Sequence, residues 1–208
     1  MATGQRYGGR SAEERRAERR ERLLAAGLEL FGTRGYGNVS IESLCAATRL
    51  NPRYFYESFA TREELLRAVY DRHMELLATA VAAALEDAPA DPRGRVETGL
   101  RAFVETQLAN ARGARVTYLE IVGVSLDLER HRRAALRGFA QLIEREADLL
   151  AGSGALPQRD HALTAMALGG AVDGLLTDCF TSDDPPATEA IVTTLVDLFV
   201  AAFTAPAA

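Results

Sequence analysis

At 208 residues, 48% hydrophobic and 25% charged, the chain is long enough to bury one or two cores. Its 17 glycines and 7 prolines exclude a fibrous or low-complexity chain. Its net charge of −5 excludes a generally basic coat for nucleic acid. That charge is uneven: residues 1–56 carry ten arginines and six acids, net +4, whereas 57–208 carry fourteen and twenty-three, net −9. One end suits a polyanion and the other does not. Cys45 and Cys179 are too few and too far apart for a zinc site or a disulfide framework, and are expected as buried free thiols in a reducing cytoplasm. The opening MATGQRYGGRSAEERR has no secretory-signal pattern. The apolar stretch 191–203 is interrupted by Thr193, Thr194 and Asp197 and is too short to span a bilayer. A cytoplasmic protein without a membrane partner is therefore expected.

Apolar residues recur at three and four positions almost throughout, which predicts an all-α chain. Residues 11–33 form the first helix, charged at first and then amphipathic through Leu24, Leu28 and Phe31. Gly32, Gly35 and Gly37 supply the turn after it. Ser40 caps a short helix reaching Ala47, with Ile41, Leu44 and Cys45 facing inward. Asn51 caps the next one, with Pro52 at its first position. Thr61 and Glu64 predict a capping box for a long helix over 62–86. The run Asp87-Ala-Pro-Ala-Asp-Pro-Arg-Gly94 reads as a break, followed by helices near 95–112, 116–124, 128–150, 159–180 and 187–203.

Two short helices joined by a tight turn, after a longer one, form a helix-turn-helix. Along 52–59, Phe55 and Phe59 lie about 40° apart on the helix and make one apolar stripe. Arg53 and Glu57 then point the other way, flanked by Tyr54 and Tyr56. Arg53 stands where such units touch base edges, and its planar fork matches guanine. Tyr54 suits a thymine methyl and Tyr56 a phosphate oxygen. Glu57, one turn on, either orients Arg53 or accepts from a cytosine amino group. Arginines 10, 15, 16, 19, 20 and 22 on the first helix admit two readings. One is a solvated face laced with ion pairs, and the other is an arm that neutralises flanking phosphates.

The order Leu30-Phe31, Gly35-Tyr36, Ser40-Ile41, Phe55-Tyr56-x-x-Phe59 and Thr61-Arg62-Glu63-Glu64-Leu65 resembles the N-terminal domain of TetR-family repressors. That resemblance implies a three-helix helix-turn-helix DNA-binding domain over 10–60. A helical ligand-binding and dimerisation domain over 61–208 would follow, with about nine helices in all. It further implies that Tyr56 and Arg62 grip phosphates and that Arg53 and Tyr54 face bases. The expected DNA-facing set is Ser40, Asn51, Pro52, Arg53, Tyr54, Tyr56, Glu57 and Arg62. The chain departs from the family pattern at Arg49, where a turn glycine is usual, at the bulky Tyr54 and at the acidic Glu57. The resemblance implies a homodimeric repressor, released from a palindromic operator by a small-molecule effector.

Beyond residue 86 the chemistry is sparse. Leu163, Gly170, Gly174, Leu175, Ile191, Leu195, Leu198 and Phe199 are expected at a four-helix dimer interface, although the same stripes would also fill a monomer core. Phe103, Gln107, Tyr118, Met166, Asp173 and Cys179 are the effector-site candidates. His73, His131 and His161 lack metal-ligand spacing, so neither a metal nor a cofactor is expected. No nucleophile–base pair, phosphate loop or paired carboxylates suggest an enzyme. Two other readings remain: a ligand-independent regulator answering to a protein partner, and a helical ligand-binding protein or enzyme with a vestigial reading head.

Overall fold

The computed structural model describes residues 11–158 and 160–205. Every regular element among them is helical. Arg10, the first residue of the expected arm and domain, and Arg159, the expected start of the penultimate helix, lie outside the described residues. The chain divides into two compact units between Val69 and Tyr70. The expected boundary stood nine residues earlier, at residue 60. Packing accounts for the difference. Leu65 and Val69 close on Gly27, where an added Cβ would meet Val69 Cγ2 at 3.0 Å and Leu65 Cγ at 3.3 Å.

In the N-terminal unit, α1 (Ala12–Arg34) opens with a complete capping box. Ser11 Oγ accepts from the Glu14 N–H at 3.0 Å, and the Glu14 carboxylate accepts from the Ser11 N–H at 2.6 Å. A 3₁₀ turn over Tyr36–Asn38 follows. Ser40 caps α2 (Ile41–Thr48), and Asn51, with Pro52 in the first turn, caps α3 (Pro52–Tyr56). At the head of α4 (Arg62–Glu86), Thr61 Oγ1 accepts from the Glu64 N–H at 3.0 Å. The Glu64 carboxylate reaches past Thr61 to the Ala60 N–H, so the expected box is half closed. Leu23, Phe31, Leu44, Phe55, Leu65 and Leu66 form the buried centre.

Arg49 ends α2 in the left-handed region, at φ 52° and ψ 39°. It stands alone among the described non-glycine residues in having a positive φ. The geometry is useful because it lets the Leu50 N–H return to the Cys45 carbonyl at 3.0 Å, satisfying an end-of-helix acceptor. An L side chain there costs about 1–2 kcal/mol. Arg49→Gly removes that strain but loosens the unfolded chain by roughly 0.5–1 kcal/mol. The expected net result is a stabilisation of up to about 1 kcal/mol, read as a raised melting temperature of the N-terminal unit. A lowered melting temperature would show that Arg49 is held by more than its backbone.

The C-terminal unit holds the rest of α4, then α5 (Pro92–Ala109) and α6 (Ala111–Arg115), the latter passing into a π-helical turn over Val116–Glu120. Next come α7 (Leu126–Gly152), α8 (Ala162–Thr181) and α9 (Thr188–Thr204). The Asp-Pro of the expected break is in fact the start of α5: Asp91 accepts from the Gly94 N–H at 2.8 Å and Pro92 sits in the first turn. Ser125 likewise sets the start of α7, accepting from the Leu128 N–H at 3.1 Å. The main packing pairs are α5 with α9 and α7 with α8.

This packing corrects part of the expected dimer face. Ile191, Leu195 and Phe199 lie in the core with Val192 and Val196, because that side of α9 faces α5. Leu198 stays exposed on the other side of α9. On α8, Ala165, Leu168, Val172, Leu176 and Cys179 take the inner positions. Leu163, Met166, Ala167, Gly170 and Gly174 remain outward, and Leu175 is half-buried. With a mean hydropathy of 1.2, α8 is long and apolar enough to cross a membrane by length and composition.

Candidate functional site

The reading head presents α3 with its arginine and tyrosines outward. Phe55 and Phe59 are buried, their ring centroids 6.1 Å apart, and fix the azimuth of the helix. The Arg53 side chain is 84% exposed, and Tyr56 is 58% exposed beside it. Tyr54 is partly covered by the Arg19 guanidinium, 4.5 Å from its ring centroid. Glu57 is shared: its carboxylate accepts from Arg53 Nε at 3.3 Å and from Arg19 Nη2 at 3.3 Å. Its negative charge is thereby matched, and it orients Arg53 rather than standing bare on the outer face. Ser40, Asn51 and Pro52 are exposed at the starts of α2 and α3, where the Ser40 and Asn51 side chains serve as caps.

Several α1 arginines are turned inward instead of forming a free arm. Arg16 donates to the Glu57 carbonyl at 2.7 Å and Arg20 to the Ser58 carbonyl at 3.1 Å. Arg22 donates to the Thr48 carbonyl. These acceptors close the C-terminal ends of α3 and α2, where helices leave carbonyls without partners and favour cations. Arg62 is also engaged, donating to the Val39 carbonyl with its guanidinium 4.1 Å from the Tyr36 ring centroid. The sequence held a signal for this arrangement. Arg16 and Arg20 continue N-terminally the stripe through Leu23, Gly27, Leu30 and Phe31 that packs inward.

The C-terminal unit encloses a cavity of about 130 Å³. A single water needs about 10–15 Å³ on this measure, so the space is far larger than a hydration site. Its walls are helical stripes. On α5 they run from Arg95 through Gly99 and Phe103 to Gln107, and on α7 from Arg132 through Leu136, Phe139 and Ile143 to Glu146. Twelve helical residues, the Arg95–Gln107 spacing, extend about 18 Å. Of the expected ligand residues, Phe103, Gln107, Tyr118 and Asp173 line this space. Two do not. Met166 is 53% exposed on the outer face of α8, and Cys179 is packed in the core beyond the cavity walls. Sequence reasoning missed Tyr70 and the whole α7 stripe, whose arginine-to-glutamate spacing of apolar residues was the available sign.

Polar groups gather at the Gln107 end. Arg132 pairs with Asp173 at 3.2 Å and with Glu129 at 3.4 Å. Gln107, fully buried, accepts from His73 Nε2 at 2.8 Å and donates to the Tyr118 hydroxyl at 3.0 Å. Burial lowers the pKa of His73 below its ordinary value and raises those of the Tyr70 and Tyr118 phenols. The Arg95 end is closed by a 2.6 Å pair with Glu146.

A short capped helix held by a helix behind it, with one arginine and two tyrosines facing out, defines the N-terminal unit as a helix-turn-helix domain. Residues 23–69 match the family described as bacterial regulatory proteins, tetR family. That match covers the helix-turn-helix unit, 47 of the 208 residues. It is similar to the HTH-type transcriptional activator FasR of Mycolicibacterium smegmatis, at 31% identity over 56% of this chain and 52% of the relative. It is also similar to the HTH-type transcriptional repressor DhaR of Mycobacterium sp. (strain GP1), at 28% identity over 42% and 44% respectively. The matched part thus spans about half the length of these relatives. The fold is that of a crystal structure of FadR from Bacillus subtilis in complex with stearoyl-CoA, with a TM-score of 0.77 at 15% identity, covering 88% of this chain and 98% of that one.

Proposed function

We propose that the protein is a homodimeric, sequence-specific repressor whose hold on a palindromic operator is released by an apolar-chain effector bound in the cavity. The observation that carries this reading is α3, where a buried phenylalanine pair holds Arg53 outward at a base-reading position. Ser40, Asn51, Pro52, Tyr54, Tyr56, Glu57 and Arg62 frame it. In this reading Tyr56 meets phosphate while Arg62 braces the turn before α2. The outward face of α8, with Leu163, Met166, Gly170 and Gly174, offers apolar and small side chains suited to close packing on a second copy. The apolar cavity, and the stearoyl-CoA bound by the similar FadR, support an effector with an acyl chain. Binding would move the two reading heads off the spacing of about 34–36 Å between successive major grooves. It can do so only as far as effector affinity differs between the two states.

Fluorescence anisotropy with DNA from upstream of the gene, against shuffled DNA at two salt concentrations, tests the reading. Selective binding that weakens with salt is expected, with a slope of about −0.9 for each phosphate contact. Gly174 has open space around it within the protomer, so Gly174→Arg should fold, sediment as a monomer and lose selective binding. Equal weak binding to operator pools and shuffled DNA, or an unchanged dimer in Gly174→Arg, would overturn the corresponding part.

A further inference from the structure

The cavity contains a polar group without a protein partner. Tyr70 is only 1% exposed and lines the cavity, yet its hydroxyl makes no hydrogen bond to any described residue. A buried tyrosine hydroxyl ordinarily finds one. Tyr118, at the same end, accepts from Gln107 at 3.0 Å, which leaves its own O–H proton to donate. The two phenols are near enough to influence each other's ionisation, and burial keeps both protonated. This end of the cavity therefore offers O–H donors and no free cation. Arg132, the guanidinium there, already pairs with Asp173 and Glu129, and Glu129 also pairs with Arg133 at 3.1 Å, so its positive charge is matched within the protein. A ligand carboxylate would be buried without a cation of its own, and an ammonium would leave the donors unused.

We infer that Tyr70 and Tyr118 are ligand-binding residues that donate to an uncharged carbonyl oxygen, so that the cavity takes acyl chains as thioesters or esters and discriminates against free fatty acids. This rests on the effector reading above and names the chemistry of its head group. The chain would lie along the apolar stripes of α5 and α7, past Phe103 and Phe139, whose rings meet edge to face at 5.3 Å.

The test is isothermal titration calorimetry of the full chain with four probes sharing one chain length. They are the decanoyl thioester of N-acetylcysteamine, methyl decanoate, sodium decanoate and decylamine. The thioester and ester should each bind at least about tenfold more tightly than decanoate and decylamine, a difference on the scale of one charged group left unpaired. Tyr70→Phe keeps the ring and should weaken thioester and ester binding about fivefold to tenfold, with decylamine unaffected. Comparing the thioester with the ester shows which carbonyl source is preferred. Decanoate or decylamine binding as tightly as the ester overturns the inference and leaves the effector reading standing. So does unchanged ester affinity in both Tyr70→Phe and Tyr118→Phe. No binding of any probe overturns both.

Discussion

Gly113→Ala is expected to destabilise the C-terminal unit by roughly 3 kcal/mol, combining overpacking with the loss of a buried hydrogen bond. An added Cβ would lie 2.3 Å from Nδ1 of His73, 2.4 Å from its Cε1 and 2.8 Å from its Cγ, so the whole ring must move. It has nowhere easy to go. The ring is buried and tied through Nε2 to Gln107 Oε1 at 2.8 Å. Because that amide oxygen only accepts, Nε2 carries the proton, and Nδ1 faces Gly113 without a partner. Moving the ring strands the Gln107 carbonyl and disturbs the bond from Gln107 to Tyr118. Urea denaturation followed by circular dichroism measures the cost. Shrinking the ring in Gly113→Ala/His73→Ala should recover part of what Gly113→Ala loses relative to His73→Ala alone, and additive losses would refute the steric argument.

Two neighbouring substitutions in α3 should separate folding from recognition. Phe55 is fully buried, edge to face with the Tyr56 ring at 5.5 Å. Truncating such a residue to alanine costs about 3–5 kcal/mol, comparable to the entire stability expected of so small a unit. Phe55→Ala should therefore melt the reading head and abolish binding to any DNA. Arg53→Ala should change stability by less than about 0.5 kcal/mol, because the side chain is 84% exposed. It should still lower operator affinity by about 1–3 kcal/mol, with a smaller effect on shuffled DNA. Thermal melts paired with anisotropy on both DNAs give the comparison. Wild-type operator affinity in Arg53→Ala would remove that residue from the base-reading role proposed for it.

Where the cause of a feature is local, the sequence by itself determined it. The helices, the Ser40 and Asn51 caps and the inward Phe55–Phe59 stripe involve residues at most a turn or so apart. Helical geometry decides such relations without reference to the rest of the chain. The Asp91-Pro92 start of α5 was equally local, but proline can open a helix as well as break one, and spacing alone did not choose. Only the tertiary structure decided the remainder. Arg16 and Arg22 find their carbonyls 41 and 26 residues away. His73, Gln107 and Tyr118 join side chains from α4, α5 and the turn after α6. On α9, apolar residues on more than one face left periodicity unable to say whether Ile191, Leu195 and Phe199 would meet α5 or a second copy. Those outcomes depend on which azimuths of distant helices come together, and the packing of the whole unit sets that relation.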